Sequence, residues 1–137
     1  MRGEVVLDAS AAAKLFITEE GSDAVRALAA SDAVFIAPEF VLAELANVAV
    51  KRLRRGDIPR ELAERMVEAS RSVFRELVPA AALTRRAFEL AADAGLSTYD
   101  ALYVALAEQR RCELATADRR LVARCQSAGL VLPVFAP

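Results

Sequence analysis

Apolar residues recur along the chain in two rhythms. Short continuous runs at Glu4-Val5-Val6-Leu7, Ala33 to Ala37, Glu113 to Thr116 and Leu130 to Val134 predict buried strands, and Phe74 to Val78, closed by Pro79, predicts another. Between them the apolar positions fall three and four apart, the spacing of a helix face. The first helix is expected to be capped at Ser10, after the turn Asp8-Ala9-Ser10, and to run from Ala11 to Phe16. A second opens near Ser22 and Asp23, with Val25 and Leu28 on one face. Pro38 suits a first helical position and leads into a long helix that reaches Arg55 before Gly56. Three more are expected from Arg60 to about Arg71, Thr84 to Ala94 and Asp118 to Ala128, the last two stopped by Gly95 and Gly129. Ser97 and Asp100 form an S-x-x-D capping box for a helix from Thr98 to Arg110.

Strands separated by helices imply a parallel or mostly parallel sheet covered on both faces. The expected architecture is therefore a three-layer α/β domain. A chain of 137 residues is one domain by the usual length, near 150, and no linker or internal repeat divides it.

In such sheets the working site lies beyond the carboxyl ends of the strands. Asp8 follows the first strand directly, and Asp118 stands two residues beyond Thr116 at the end of another. The five glycines are scattered, so neither a G-x-G-x-x-G nor a phosphate-binding P-loop exists and no nucleotide cofactor is expected. Two further acids sit oddly. Glu44 lies on a helix with apolar residues on both sides (Phe40, Val41 and Val48 on one, Leu42, Leu45, Ala49 and Leu53 on the other) and is expected to be buried with it. Asp100 opens a helix that, over Tyr99 to Ala107, is otherwise apolar all round, which puts an acid at the start of a core element. Each of these four has an ordinary explanation, helix capping or a salt bridge. Together they could converge at one edge of the sheet.

If they do, mutual repulsion prevents all four from ionising unless a cation sits among them. There is no histidine anywhere in the chain, which excludes Ser-His-Asp and Cys-His machinery and any imidazole metal site. Cys112 and Cys125 are too far apart in the sequence for a C-x-x-C site. Oxygen-only ligands select a hard ion, Mg²⁺ or Mn²⁺, and such an ion suits hydrolysis of a phosphodiester.

Composition refines this picture. At 55% hydrophobic and 27% charged the chain is globular, and its 18 basic against 19 acidic residues make it no polycation. All basic residues except Lys14 and Lys51 are arginines, the better fork for phosphate, though a GC-rich genome would enrich arginine equally. They are bunched, as in Lys51-Arg52-Leu53-Arg54-Arg55 and Arg110-Arg111 at helix ends, where cations are favoured. Arg119 and Arg120 lie instead in a first turn, so they are expected, with Lys51 and Arg52, to meet nucleic-acid phosphate. Aromatics make up only 6% of residues, so base stacking is expected to be minor. No signal peptide or spanning segment is recognisable; the expected setting is the cytoplasm, with reduced thiols and no membrane contact.

Four segments, Val6-Leu7-Asp8-Ala9-Ser10, Pro38 to Glu44, Leu96 to Ala107 and Leu114 to Leu121, resemble in order and spacing the PIN-domain ribonucleases, specifically the VapC-type toxins of prokaryotic toxin–antitoxin pairs. The resemblance covers essentially the whole chain and implies a five-stranded parallel sheet with helices on both faces. It also implies that Asp8, Glu44, Asp100 and Asp118 form a catalytic metal site for Mg²⁺ or Mn²⁺, with Ser10 and Thr116 as supporting hydroxyls. Cleavage of single-stranded or looped RNA, a homodimer and silencing by an antitoxin protein follow from the same likeness. Two other classes compete. A receiver-like signalling domain needs a strand-end lysine, and neither Lys14 nor Lys51 is so placed; a non-catalytic interaction domain would have no use for four acids.

Overall fold

The computed structural model describes residues 2–137. Strand β1 (Glu4–Leu7) is the centre of the molecule, with Val5, Val6 and Leu7 all fully buried although neighbours on a strand point to opposite faces. A strand covered on both sides can afford no polar position, and the uninterrupted apolar run reflects this. It is followed by α1 (Ala9–Ala12), a 3₁₀ turn (Ala13–Leu15), α2 (Ser22–Ala30), β2 (Val34–Pro38), α3 (Val41–Arg55) and α4 (Arg60–Val73). The rest is β3 (Glu76–Val78), a 3₁₀ turn (Ala80–Ala82), α5 (Thr84–Ala94), α6 (Thr98–Arg110), β4 (Glu113–Ala115), α7 (Arg119–Ser127) and β5 (Val134–Phe135).

All pairings are parallel, in the order β3-β2-β1-β4-β5, with Val5 opposite Phe35 on one side and Val6 opposite Leu114 on the other. The expected five-stranded α/β sandwich is borne out. α6 lies across β1, β2 and β4 and packs sideways on α5, while α3 packs on α1 and α4. Its residues from Ala101 to Ala107 are all buried, so its apolar circumference is matched by cover on every side. At the opposite, N-terminal edge of the sheet, Arg110 spans Glu4 of β1 (2.8 Å) and Glu76 of β3 (2.5 Å).

Local expectations are corrected in four places. Asp8, not Ser10, caps α1, accepting from the Ala11 N–H at 2.9 Å; Ser10 lies within the first turn and donates back to Asp8. The helix expected over 11–16 tightens into the 3₁₀ turn after Ala12. Pro38 closes β2 rather than opening α3, because its missing N–H falls at the strand's last residue and Glu39 N–H makes the next bond to Val78 C=O. The last strand begins at Val134, not Leu130. Leu130 N–H still closes the end of α7 on Cys125 C=O, and residues 131–133 are spent reaching the edge of β4.

Because the sheet is parallel, Leu7 of β1, Pro38 of β2 and Ala115 of β4 all end on one edge. Asp8 follows the first, Glu44 stands in the first turn of α3 after the second, and Thr116 and Asp118 follow the third.

Candidate metal centre

Asp8 is the innermost acid, only 5% exposed. Its Oδ1 accepts from Ser10 Oγ at 2.6 Å and from Ala11 N–H at 2.9 Å. Burial pushes the carboxyl up to about 6, with the negative charge of Asp100 adding to the rise; the bonds from Ser10, Thr116 and Ala11 pull against it. Ser10 Oγ also accepts from Ala117 N–H at 2.9 Å and stands 3.4 Å from the Thr116 hydroxyl. Thr116 Oγ1 in turn accepts from Asp118 N–H at 3.0 Å. The two hydroxyls therefore knit the ends of β1 and β4 around Asp8.

Glu44 is half-buried rather than enclosed, because α3 buries a single stripe of Val41, Leu45 and Ala49 and leaves its other sides partly open. That corrects the expectation of a helix covered on both sides. The Tyr103 hydroxyl donates to Glu44 Oε1, and no cation among the described residues forms an ion pair with Glu44. Burial holds Glu44 above the usual carboxylate range, as do the charges of Asp8 and Asp100, despite the Tyr103 bond. Asp100 is raised as well, first by burial and then by the charge of Asp118, with Arg124 in opposition. Ser97 Oγ accepts from Asp100 N–H at 3.0 Å, the half of the capping box that forms around the backbone. Asp118 caps α7, its Oδ1 accepting from Arg120 N–H (2.9 Å) and Leu121 N–H (3.2 Å).

The structure thus brings Asp8, Glu44 and Asp100 into mutual electrostatic reach, with Asp118 joined through Asp100. Among the described residues no three acids stand close enough to cage an ion directly. A hydrated Mg²⁺ does not need a cage: it is held by one or two carboxylates, keeps several waters and takes further oxygens from substrate. Raised carboxyls, all-oxygen donors and no imidazole fit such an ion.

Tyr103 is a site residue that sequence reasoning missed, and a signal was present. It is 2% exposed in a helix otherwise apolar on all sides, and a buried phenol needs a partner for its hydroxyl. The basic residues divide. Arg52 is committed to Glu19 at 2.6 Å, which holds that carboxyl below its usual range against the effect of burial, so Arg52 is chiefly a structural ion pair. Arg119 lies 3.5 Å from Glu20 with both chains open to solvent, and Lys51 and Arg120 are exposed.

The family model for the PIN domain matches residues 5–125. The chain belongs to the PIN-domain family. The PIN domain described here is 35% identical over 120 residues to Ribonuclease VapC3 of Pyrobaculum aerophilum, spanning 86% of this chain and 92% of that one. Among solved structures it is similar to VapC20 of Mycobacterium tuberculosis, a Sarcin-Ricin loop cleaving toxin (TM-score 0.68, 22% identity, 87% and 93% coverage). It is similar also to VapBC2 of Rickettsia felis bound to a fragment of promoter DNA (TM-score 0.68, 16% identity, 98% of both chains). The family likeness in the sequence motifs is borne out, and the four acids of this PIN domain lie on the segments that carried it.

Proposed function

We propose that this chain, as one domain over 1–137, is a divalent-metal-dependent endoribonuclease and the toxin of a toxin–antitoxin pair. The observation that carries the reading is the set of coupled, raised carboxyls at the C-terminal edge of a PIN-domain sheet, in a chain 35% identical to a ribonuclease. Asp8, Glu44, Asp100 and Asp118 are the catalytic and metal-holding residues. Mg²⁺ or Mn²⁺, when bound, supplies Lewis acidity that lowers the pKa of water and balances charge developing on phosphate oxygens.

The rest is done by the chain. Asp8 is held by Ser10 and the α1 cap, so its position is set before substrate arrives. Tyr103 orients Glu44, and Ser10 and Thr116 tie Asp8 to the loop that carries Asp118. The site offers no conventional neutral-pH base apart from the raised carboxylates of Asp8, Glu44 and Asp100, so ionising them is the protein's own part in activation. Cationic side chains beside the cluster, such as Lys51, bind flanking phosphates. The similar structure solved as a VapBC2 assembly supports a separate antitoxin protein for this chain, and the homodimer and the cytoplasmic setting belong to the same proposal. No helix among the described residues is long and apolar enough to cross a membrane.

The test is Asp100→Asn assayed on a mixed RNA with Mg²⁺ or Mn²⁺. Cleavage by the wild-type chain should disappear in chelator and fall at least a hundredfold in the variant; full activity in either case would refute the reading.

A further inference from the structure

We infer that single-stranded RNA crosses the carboxylate cluster along α3, with an unstacked base on the Tyr99 ring at one end and phosphates on Lys51 and Arg54 at the other. This rests on the endoribonuclease reading and adds to it the path of the strand across the site and the side chains that hold it.

At the start of α3, Phe40 lies one turn before Glu44. Its ring centroid is 5.8 Å from that of Tyr99 and 5.3 Å from that of Tyr103, which bonds Glu44. Tyr99 precedes Asp100 directly and is 66% exposed. The result is an aromatic ring packed on Phe40, largely open to solvent and one residue before Asp100. Such a ring is a sequence-tolerant platform for a nucleobase. A base within a duplex cannot leave its stack to reach it without cost, so the platform selects unpaired or looped strands.

At the other end of α3 the cations are not equivalent. Arg52 pairs with Glu19 (2.6 Å) and Arg55 with Asp57 (3.0 Å), and Lys14 also reaches Glu19 (3.3 Å). Lys51 and Arg54 are exposed and have no acidic partner among the described residues. Both line a cleft of about 560 Å³ that opens on Ser10 and Ala117, and Ser10 is bonded to Asp8. At 1.5 Å rise per residue, Lys51 lies roughly 10 Å along the helix from Glu44. The order along α3 is therefore Phe40, which backs the Tyr99 ring of α6, then Glu44, then Lys51 and Arg54: the order a strand needs if a base docks on one side of the cut and the backbone continues on the other. Charge complementarity and continuity with the acid cluster favour a polyanion over a protein partner.

The test measures binding of a short fluorescein-labelled single-stranded RNA in Mg²⁺ over a range of salt, by anisotropy, in an Asp100→Asn background that blocks turnover. Tyr99→Leu should weaken binding about tenfold with the salt slope unchanged, and Tyr99→Phe should restore it. Lys51→Ala with Arg54→Ala should flatten the slope of log affinity against log salt by about 1.4, or 0.7 per lost phosphate contact. The same sequence as a duplex should bind at least tenfold more weakly. Wild-type affinity in Tyr99→Leu, an unchanged slope in the double variant or equal binding of duplex would overturn the inference. So would a Tyr99→Leu chain that changes its sedimenting mass but not its RNA affinity, which would assign the ring to a protein contact. Failure of the endoribonuclease reading shows separately, as absence of Asp100-dependent cleavage by the wild-type chain.

Discussion

Asp8 is held at the sheet edge against its own electrostatic interest. Its carboxyl rises from an ordinary 3.8 to about 6, so the folded chain binds a proton there that the unfolded chain has released. Stability therefore falls as pH rises from about 4 to about 6 and stays at the lower value above, a difference of at most about 3 kcal/mol. Asn in its place keeps the cap acceptor without the charge. In chelator at pH 7, Asp8→Asn should melt several degrees above the wild type, with the gap closing towards pH 4; equal or lower melting at pH 7 would contradict this. Tyr103 offers a second test. Tyr103→Phe removes only the hydroxyl that donates to Glu44, and loss of that donor raises Glu44 further. The expected result is an acid limb of the pH–rate profile displaced to higher pH, and Mn²⁺ affinity reduced about tenfold by electron paramagnetic resonance titration. Melting should change by about 1 kcal/mol or less. An unmoved acid limb would show that Glu44 is oriented by something else.

Among the elements, α6 serves both core and site. Asp100 opens it, Tyr103 bonds Glu44 from its second turn, and Leu106 in the third has no exposed surface. Truncating Leu106 to Ala leaves a cavity in the core around α6. It should cost about 2–5 kcal/mol, read from the urea midpoint, whereas Val67→Ala on the half-open flank of α4 should cost well under 1 kcal/mol. α3 behaves differently. It buries one stripe only, so Glu44, Lys51 and Arg54 stand on partly open surface. The apolar residues flanking Glu44 suggest burial on both sides, but several of them, Leu42, Val48 and Leu53, remain partly exposed. Periodicity locates a helix well and measures its depth badly, because depth is set by what packs on it.

For the whole molecule, strand–helix alternation was enough to anticipate a parallel α/β sandwich. The edge on which Asp8, Glu44, Asp100 and Asp118 gather then follows from parallel pairing itself. Boundaries that depend on distant partners were not legible. β5 starts late because α7 must first close on Cys125, and Pro38 belongs to β2 because Val78 is there to receive the next N–H. Pairing of Arg52 with Glu19 across 33 residues was equally hidden, as was the bond from Tyr103 to Glu44 across 59. The net charge of −1 conceals an acidic edge and a cationic cleft that nearly cancel. Two of the acids, Asp8 and Asp118, direct their capping bonds to Oδ1 alone. Folding of α1 and α7 has thus already removed their rotational freedom, and an arriving ion need not supply that entropy again. Glu44, restrained by a single phenol on a half-open helix, stays adaptable, and as a proposed metal donor it would adjust its reach to the radius of the ion.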